Sequence, residues 1–160
     1  MAYWLVLQGK TFDAESEGEY LWAPLHSVNK HGTGSDRYYW RNLECLEVGD
    51  VVFCCVQQQI RAIASVTKRF VHAKKPKGLP GQGWIKEGRL VCAAYEELET
   101  PVDTSSRLAA LRRLQGENGP LDSRRGYKQG YIFSVPQAFA DSLLLLVRHG
   151  REHRKHSTRG

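Results

Sequence analysis

Two apolar runs joined by a short polar corner constrain the fold more than any other feature of the sequence. Residues 51–56 read Val-Val-Phe-Cys-Cys-Val, residues 60–66 read Ile-Arg-Ala-Ile-Ala-Ser-Val, and three glutamines separate them. Short runs rich in β-branched and aromatic residues predict strands, and so short a connection predicts a hairpin. The fold therefore needs a sheet in which neighbouring strands of the sequence pair antiparallel.

The remaining elements are short and do not alternate regularly between strand and helix. Strand patterns occur at residues 3–7, 89–98 and 131–135, and short helical patterns occur near residues 39–46, 103–114 and 136–147. Residues 13–18 form either a polar connection or a short helix. A parallel sheet would need a crossover, usually a helix, between successive strands. We therefore predict an α+β fold, with a bent mixed sheet or pseudobarrel of about five to six strands flanked by short helices.

The composition is that of one globular domain. The chain has 160 residues, of which 41% are apolar and 25% charged. No run approaches the ~18 apolar residues of a membrane-spanning helix, and the first residues lack the basic region of a signal peptide. The four cysteines form no Cys-x-x-Cys pair and are expected to be reduced core residues. We expect a cytoplasmic protein with no membrane partner.

Positive charge is concentrated near the C-terminus. The net charge is +6 at pH 7, and residues 148–160 contain five Lys or Arg residues but only one Glu. The sequence therefore predicts a folded domain over residues 1–147 and a basic, disordered tail over residues 148–160. A basic protein favours polyanionic partners, because cations that neutralise phosphates release counterions.

Residue patterns that support catalysis are absent from the sequence. It contains no dinucleotide-binding, phosphate-loop, serine-hydrolase or zinc-protease motif. The acidic pairs Glu15 with Glu17 and Glu96 with Glu97 are expected to be solvated surface groups. The tail histidines lie among arginines that would repel a metal cation. We predict a binding protein that is not an enzyme and has no metal or cofactor.

Four tryptophans carry the functional prediction. Trp4 lies inside an apolar run and is expected in the core, whereas Trp22 and Trp84 flank polar or basic loops, with Trp22 placed beside a turn that ends at Pro24. Such rings either stack on a nucleobase or anchor the core, and both interpretations remain open for Trp40. Stacking is worth about 1–3 kcal/mol per unstacked base and does not depend on base identity.

Polar groups near these rings complete a predicted pocket and a predicted phosphate-binding surface. The pocket residues are Gln8, Gly9, Tyr20, Trp22, Ala23, Ser27, Trp40, Ser65 and Trp84. The nucleic-acid backbone residues are Lys10, Lys30, Arg37, Lys68, Arg69, Lys74, Lys75, Lys77, Arg124, Arg125 and Lys128. Phosphate contacts of this kind position a protein, and contacts with base edges give it specificity.

An ordered set of motifs resembles the EVE branch of the PUA-like superfamily, which is related to YTH and ASCH domains. The motifs are Trp4, Gln8-Gly9-Lys10-Thr11-Phe12, Tyr20-Leu21-Trp22-Ala23-Pro24, Tyr39-Trp40, Val48-Gly49-Asp50-Val51-Val52-Phe53 and Gln129-Gly130-Tyr131-Ile132-Phe133. The resemblance implies a PUA-like pseudobarrel with a pocket for a modified base. By position, Trp22 matches the first cage tryptophan of YTH-type domains and Trp84 is a looser match to the second.

The same resemblance supplies the functional hypothesis. YTH relatives hold methylated adenine in RNA, and several bacterial EVE-like domains read modified cytosine in DNA, often fused to HNH nucleases. Tyr39 stands where the family usually has a histidine. We expect binding of modified double-stranded DNA, with 5-methylcytosine flipped into the pocket, little flanking-sequence specificity, and a nuclease partner encoded elsewhere. Alternatives are a reader of modified or single-stranded RNA and a small ASCH-type nucleotide-processing enzyme.

Overall fold

The part of the protein that the structure describes contains six strands and four helices. The computed structural model describes residues 1–28, 34–81 and 84–157, with side chains described as far as Arg151. The strands are β1 (Tyr3–Leu7), β2 (Tyr20–Pro24), β3 (Val51–Val56), β4 (Gln59–Lys74), β5 (Glu87–Asp103) and β6 (Ile132–Val135). The helices are α1 (Phe12–Gly18), α2 (Tyr38–Arg41), α3 (Leu108–Leu114) and α4 (Gln137–Ser157), with 3-10 turns at Gly9–Thr11, Asn42–Cys45 and Ser105–Arg107.

The strands form one mixed sheet in the order β2-β5-β4-β3-β1-β6. Only β1 and β3 pair in parallel, and all other neighbours are antiparallel. The β4–β5 pair contains three register shifts, and such bulges increase local twist and bend the strands. The sheet consequently curls into a half-barrel, which confirms the predicted α+β fold and bent mixed sheet.

The hairpin predicted at the three glutamines is also present. Gln57 and Gln58 form the turn between β3 and β4, and both have positive φ angles, of 50° and 67°. Two consecutive residues with positive φ are typical of the turn whose twist matches that of paired strands. The turn forms here without glycine or asparagine.

The two faces of the sheet bury separate cores. Trp4, as predicted, packs on the first face, together with Phe12 of α1 and Trp40 of α2. The second face is covered by α3 and α4 through residues such as Leu111 and Phe139. Cys54 and Cys55 are adjacent in β3, so one joins each core. Cys45 is exposed and Cys92 is half-buried, which corrects the expectation of four core cysteines; all four are free.

Two segments differ from the sequence-based prediction. Tyr20–Pro24 is an edge strand paired to β5 and not a turn, because proline is tolerated at the end of a strand that has a neighbour on one side only. Helix α4 continues to Ser157, ten residues beyond its predicted end. Arg151 of this extension pairs with Glu96 of β5 at 3.0 Å. Over residues 148–157 the predicted disordered tail is therefore wrong.

Across the described residues, no helix has both the length and the apolar character needed to cross a bilayer.

Candidate functional site

A cavity of about 460 Å³ opens at the C-terminal end of β1. Its volume falls within the range of about 300–1,000 Å³ that is typical of small-molecule sites. The walls come from the ends of β1 and β2, the β3–β4 turn, and the segment before β6. The lining residues are Leu7, Gln8, Gly9, Thr11, Trp22, Pro24, Trp40, Cys55, Gln57, Gln58, Trp84, Tyr127, Lys128, Gln129, Gly130 and Tyr131.

Three tryptophans form a contiguous aromatic wall of this cavity. The ring centroids of Trp22 and Trp84 are 6.2 Å apart with an interplanar angle of 49°, and those of Trp40 and Trp84 are 6.5 Å apart at 80°. Trp22 and Trp40 are only 2% and 7% exposed, whereas Trp84 is half-buried. Trp84 is therefore the indole with the most accessible surface.

This arrangement corrects the expected role of Trp22. Its ring is almost fully buried, packs against Trp84, and donates from Nε1 to the carbonyl of Ala73 at 3.0 Å. A buried indole N–H needs such a partner. Trp22 thus acts as a fixed wall, and it does not stand opposite Trp84 across an open slot.

Two glycines allow the indoles to sit this close to the backbone. A Cβ atom at Gly88 of β5 would lie 2.3 Å from Cζ2 of Trp22, and one at Gly81 would lie 2.3 Å from Cζ3 of Trp84. Gly81 also has a φ angle of 152°, which L-residues rarely adopt. The position of both rings therefore depends on the absence of side chains at these two positions.

Gln8 is one of the polar residues of the cavity wall. Its side chain is 3% exposed and donates from Nε2 to the hydroxyl of Tyr95 at 2.8 Å. The Tyr95 hydroxyl in turn donates to the backbone carbonyl of Tyr20 at 2.8 Å. The Oε1 atom of Gln8 is buried and accepts no hydrogen bond from any described residue.

Glu15 lies behind the cavity and not on the surface, so the sequence-based expectation for it is wrong. It is fully buried, and its Oε2 accepts hydrogen bonds from the Trp22 amide at 3.1 Å and from the Tyr131 hydroxyl. Its Oε1 is hydrogen-bonded to Oγ1 of Thr11 at 2.5 Å. Burial raises the pKa of Glu15 to about 7, against the opposing effect of hydrogen bonds from Thr11, Tyr131, Trp22 and Gln8.

A buried arginine fixes the other end of the tryptophan wall. Arg89 of β5 is 5% exposed and donates to Glu44 at 2.6 Å, to Asp36 at 3.0 Å and to the carbonyl of Pro24 at 3.1 Å. These contacts tie the end of β2 to the segments on either side of α2, which carries Trp40. Arg89 thereby holds the Trp22 and Trp40 elements in one arrangement.

Five of the nine predicted pocket residues line the cavity, and four do not. Those that line it are Gln8, Gly9, Trp22, Trp40 and Trp84. Tyr20 and Ala23 are buried in the cores around β2, and Ser27 forms an isolated bridge with Trp84. Ser65 is exposed, because strand alternation places it on the opposite face from Ala64 and Val66. Its predicted place in the pocket is wrong.

Sequence reasoning did not assign Tyr95, Glu15 or most of the segment before β6 to the site. Tyr131 is predicted only as the first residue of a strand and as part of the family motif, Gln129 and Gly130 only as part of that motif, and Gln57 and Gln58 only as a turn. These residues lie next to the end of β1 because β1 pairs with both β3 and β6. The motif and the turn were the only signals in the sequence that pointed to these residues.

Three predicted phosphate-binding lysines lie at or beside the cavity. Lys128 lines it, and its Nζ is 6.0 Å from the ring centroid of Phe133. Lys75 Nζ is 6.0 Å from the Trp84 ring and donates to the carbonyl of Gly81. Lys10 is exposed and follows Gly9 directly.

The other predicted basic residues are spread over the surface. Arg37, Lys68, Arg69, Lys74, Lys77, Arg124 and Arg125 are all exposed, and Lys30 lies outside the described residues. Arg124 and Arg125 belong to a loop in which Oδ1 of Asp122 accepts three backbone amides. These hydrogen bonds lower the pKa of Asp122 and give the loop before Tyr127 a defined shape.

Comparison with known proteins reveals similarity at the level of structure only. No family model and no curated protein matches the sequence. A crystal structure of a Pseudomonas putida protein matches with a TM-score of 0.55 and 16% identity, over 91% of this chain and 99% of that one. Human THYN1, crystallised in complex with DNA containing 5-methylcytosine, matches with a TM-score of 0.55 and 14% identity, over 92% of this chain and 98% of that one.

Both matches extend over nearly the whole of this chain and of its neighbours. At such low identity, the matches establish the fold of this chain but do not identify its ligand. The chain therefore shares the overall fold of these two structures.

Proposed function

We propose that this protein binds DNA carrying a modified base, with 5-methylcytosine as the preferred one, by accepting the base into the tryptophan-lined cavity after it is flipped out of the duplex. The observation that carries the proposal is the combination of an accessible indole, Trp84, with a buried and unpartnered acceptor, Gln8 Oε1, in one cavity. The same fold in human THYN1 is found bound to 5-methylcytosine DNA, which supports this choice of ligand.

The energetics fit a reader of a single extruded base. Extrusion costs a few kcal/mol, and stacking on an aromatic ring returns about 1–3 kcal/mol. A buried methyl group adds about 0.8 kcal/mol, which corresponds to about a fourfold preference for the methylated base. Because a cavity of this size accepts one base, the neighbouring base pairs contribute little specificity.

Lysines around the opening supply the remaining binding free energy. Lys10 follows the lining residue Gly9, Lys75 lies near the Trp84 ring, and Lys128 lines the cavity. Contacts between such cations and phosphates do not depend on sequence and weaken as salt increases. We assign these three residues to the strand that carries the flipped base.

The proposed role is binding without catalysis. The carboxyl of Glu15 is fully buried and is hydrogen-bonded to Thr11, Trp22 and Tyr131, which line the cavity. It is therefore occupied in supporting the wall and is not presented to a ligand. Cleavage of modified DNA would require a nuclease partner encoded elsewhere, as the family resemblance implies.

A titration with matched oligonucleotides tests the proposal. Labelled duplexes that differ only in one cytosine or 5-methylcytosine, and an RNA oligonucleotide with one N6-methyladenine, are titrated with the protein and followed by fluorescence anisotropy. We expect the methylated duplex to bind most tightly. Tighter binding of the RNA would contradict the DNA assignment and support the alternative of an RNA reader.

The variant Trp84→Ala tests the cavity itself. Removing the accessible indole should weaken binding of the methylated duplex about tenfold or more, because the stacking surface is lost. Phe70→Ala, which removes a half-buried aromatic side chain from β4, serves as the control. Equal affinities for Trp84→Ala and the wild type would show that the base does not enter this cavity.

A further inference from the structure

We propose that the side-chain carbonyl of Gln8 reads the exocyclic amino group of the flipped base, so that the cavity accepts 5-methylcytosine and rejects thymine. This inference rests on the proposed function and adds the group that determines base identity. Thymine and 5-methylcytosine carry the same ring methyl group. At position 4, however, cytosine presents an amino donor and thymine a carbonyl acceptor.

The orientation of the Gln8 amide follows from hydrogen-bond chemistry. The carbonyl of Tyr20 can only accept, so the single hydroxyl proton of Tyr95 is committed to it at 2.8 Å. The Tyr95 oxygen is then left as an acceptor toward Gln8, 2.8 Å away, and only the NH₂ end of the amide can donate to it. The hydrogen bonds from Gln8 to Tyr95 and from Tyr95 to Tyr20 thus place the amide nitrogen of Gln8, and not its oxygen, beside Tyr95.

The electrostatics of Glu15 agree with this orientation. Hydrogen bonding from Gln8 is among the effects that lower the pKa of Glu15, as expected when the NH₂ group faces that carboxyl. The carbonyl oxygen is the end of the amide that has no partner among the described residues, and Gln8 is one of the residues that line the cavity.

The unpartnered oxygen specifies the ligand chemistry. Oε1 of Gln8 is the only buried side-chain nitrogen or oxygen, within the described part of the chain, that lacks a hydrogen-bond partner. Buried acceptors are nearly always satisfied in folded proteins, so a donor is expected from the ligand. An exocyclic N–H provides that donor, whereas a keto oxygen would leave two acceptors facing each other. Sites built around a hydrogen bond reject ligands that lack the matching group.

Tyr95 is a positioning residue in this scheme. It holds the Gln8 amide without lining the cavity itself. Replacing it with phenylalanine removes the hydroxyl and frees the amide to rotate, which would present NH₂ in place of the carbonyl. The Tyr95→Phe variant should therefore lose selectivity between the two bases while retaining the aromatic wall.

The experiment compares two duplexes that place 5-methylcytosine or thymine opposite the same guanine. The thymine–guanine mismatch is cheaper to open, so any preference for 5-methylcytosine cannot arise from the cost of extrusion. We expect the wild-type protein to bind the thymine duplex at least about tenfold more weakly. An unmodified cytosine duplex is included to measure the effect of the methyl group alone.

Variants of Gln8 and Tyr95 distinguish selectivity between the two bases from affinity for DNA in general. Gln8→Met keeps the length of the side chain and removes the acceptor, so it should bind both duplexes with similar affinity, as should Tyr95→Phe. Gln137→Met, an exposed substitution on α4, serves as the control and should retain the wild-type preference. Thermal unfolding of each variant establishes that it is folded.

The outcomes distinguish this inference from the proposed function. If the wild type binds 5-methylcytosine and thymine duplexes equally, yet still prefers methylated over unmodified cytosine, the role of Gln8 is refuted and the reader function stands. If it binds none of the duplexes better than the cytosine control, the reader function itself fails. Unchanged selectivity in both Gln8→Met and Tyr95→Phe would likewise overturn the assignment.

Discussion

At the scale of single residues, the burial of the Glu15 carboxyl favours its protonated form. Thr11 Oγ1 lies 2.7 Å from the carbonyl of Gln8 and 2.5 Å from Oε1 of Glu15. One hydroxyl proton serves one of these contacts, and a backbone carbonyl can only accept. Thr11 can therefore donate to only one of these two acceptors at a time, which leaves the buried carboxyl with less than a full set of donors. The raised pKa of Glu15 agrees with a protonated carboxyl.

Protonation of Glu15 makes the stability of the protein depend on pH. The pKa of this carboxyl rises from an ordinary value of 4.5 to about 7 on folding. The contribution of Glu15 to the free energy of unfolding is therefore fully present below about pH 4.5 and is lost as the pH rises through 7. Between pH 5 and 8 the wild type should lose on the order of 2–3 kcal/mol of unfolding free energy relative to Glu15→Gln, which mimics the neutral acid at every pH.

Urea unfolding of the wild type and Glu15→Gln at a series of pH values measures this difference. Other titrating groups are shared by the two proteins, so the difference isolates Glu15. Glu17→Gln, an exposed residue on the same helix, is the matched control and should follow the wild-type pH dependence. Parallel stability curves for the wild type and Glu15→Gln would contradict a protonated, buried carboxyl.

Single residues of the site could be predicted from the sequence only where their local context is informative. Trp22, Trp84 and Gln8 were predicted as pocket residues because each stands beside an irregular segment at a strand end. Glu15 was assigned to the surface, because the short helix around it is polar on most of its positions. One of its hydrogen-bond partners, Tyr131, lies 116 residues away in the sequence. No local pattern reveals a partner at that distance.

At the scale of secondary-structure elements, the cavity depends on how closely β5 approaches the Trp22 ring of β2. Gly88 lies opposite Pro24 in the β2–β5 ladder, and its Cα faces the indole of Trp22. A side chain at this position would meet both the ring and the carbonyl of Ala23, at 2.3 and 2.5 Å. The short edge strand is therefore held in place by a contact that only glycine permits.

The substitution Gly88→Ala should destabilise the protein and disturb the cavity together. Overpacking of this kind costs about 1–3 kcal/mol, and relieving it requires the Trp22 ring or the backbone at Ala23 to move. We expect a lower midpoint of thermal unfolding and weaker binding of the methylated duplex. Gly116→Ala is the control, because its added Cβ meets only Cγ of Pro136 at 3.6 Å. Equal effects of the two substitutions would contradict the importance of this close approach.

Elements were predicted best where their local pattern is strong. The β3–β4 hairpin, β1 and the short helices follow from apolar periodicity and turn residues. The β2 strand was missed, because five residues ending in proline resemble a turn when the partner strand β5 lies more than sixty residues further along the chain. The lengths of β4 and β5 were underestimated for the same reason, since each supports the other through pairing.

At the scale of the whole molecule, the sheet order explains why a cavity forms at the end of β1. Strand β1 lies between β3 and β6, so its C-terminal end meets the β3–β4 turn on one side and the segment before β6 on the other. The curl of β4 and β5 then brings β2, with Trp22, across this end. Gln8 and the three tryptophans line one cavity because the sheet curls into a half-barrel. Two similar folds elsewhere show that the architecture recurs at low sequence identity.

The central claim is that one base leaves the duplex and enters this cavity. The fluorescence of 2-aminopurine, placed next to a single 5-methylcytosine, measures it directly, because the probe brightens when its neighbour unstacks. We predict that fluorescence rises as the wild-type protein saturates the duplex, and that the rise is reduced in Trp84→Ala at saturating protein. Saturation confirmed by anisotropy with no rise in the wild type would show that the protein binds a fully stacked duplex, and would contradict the account.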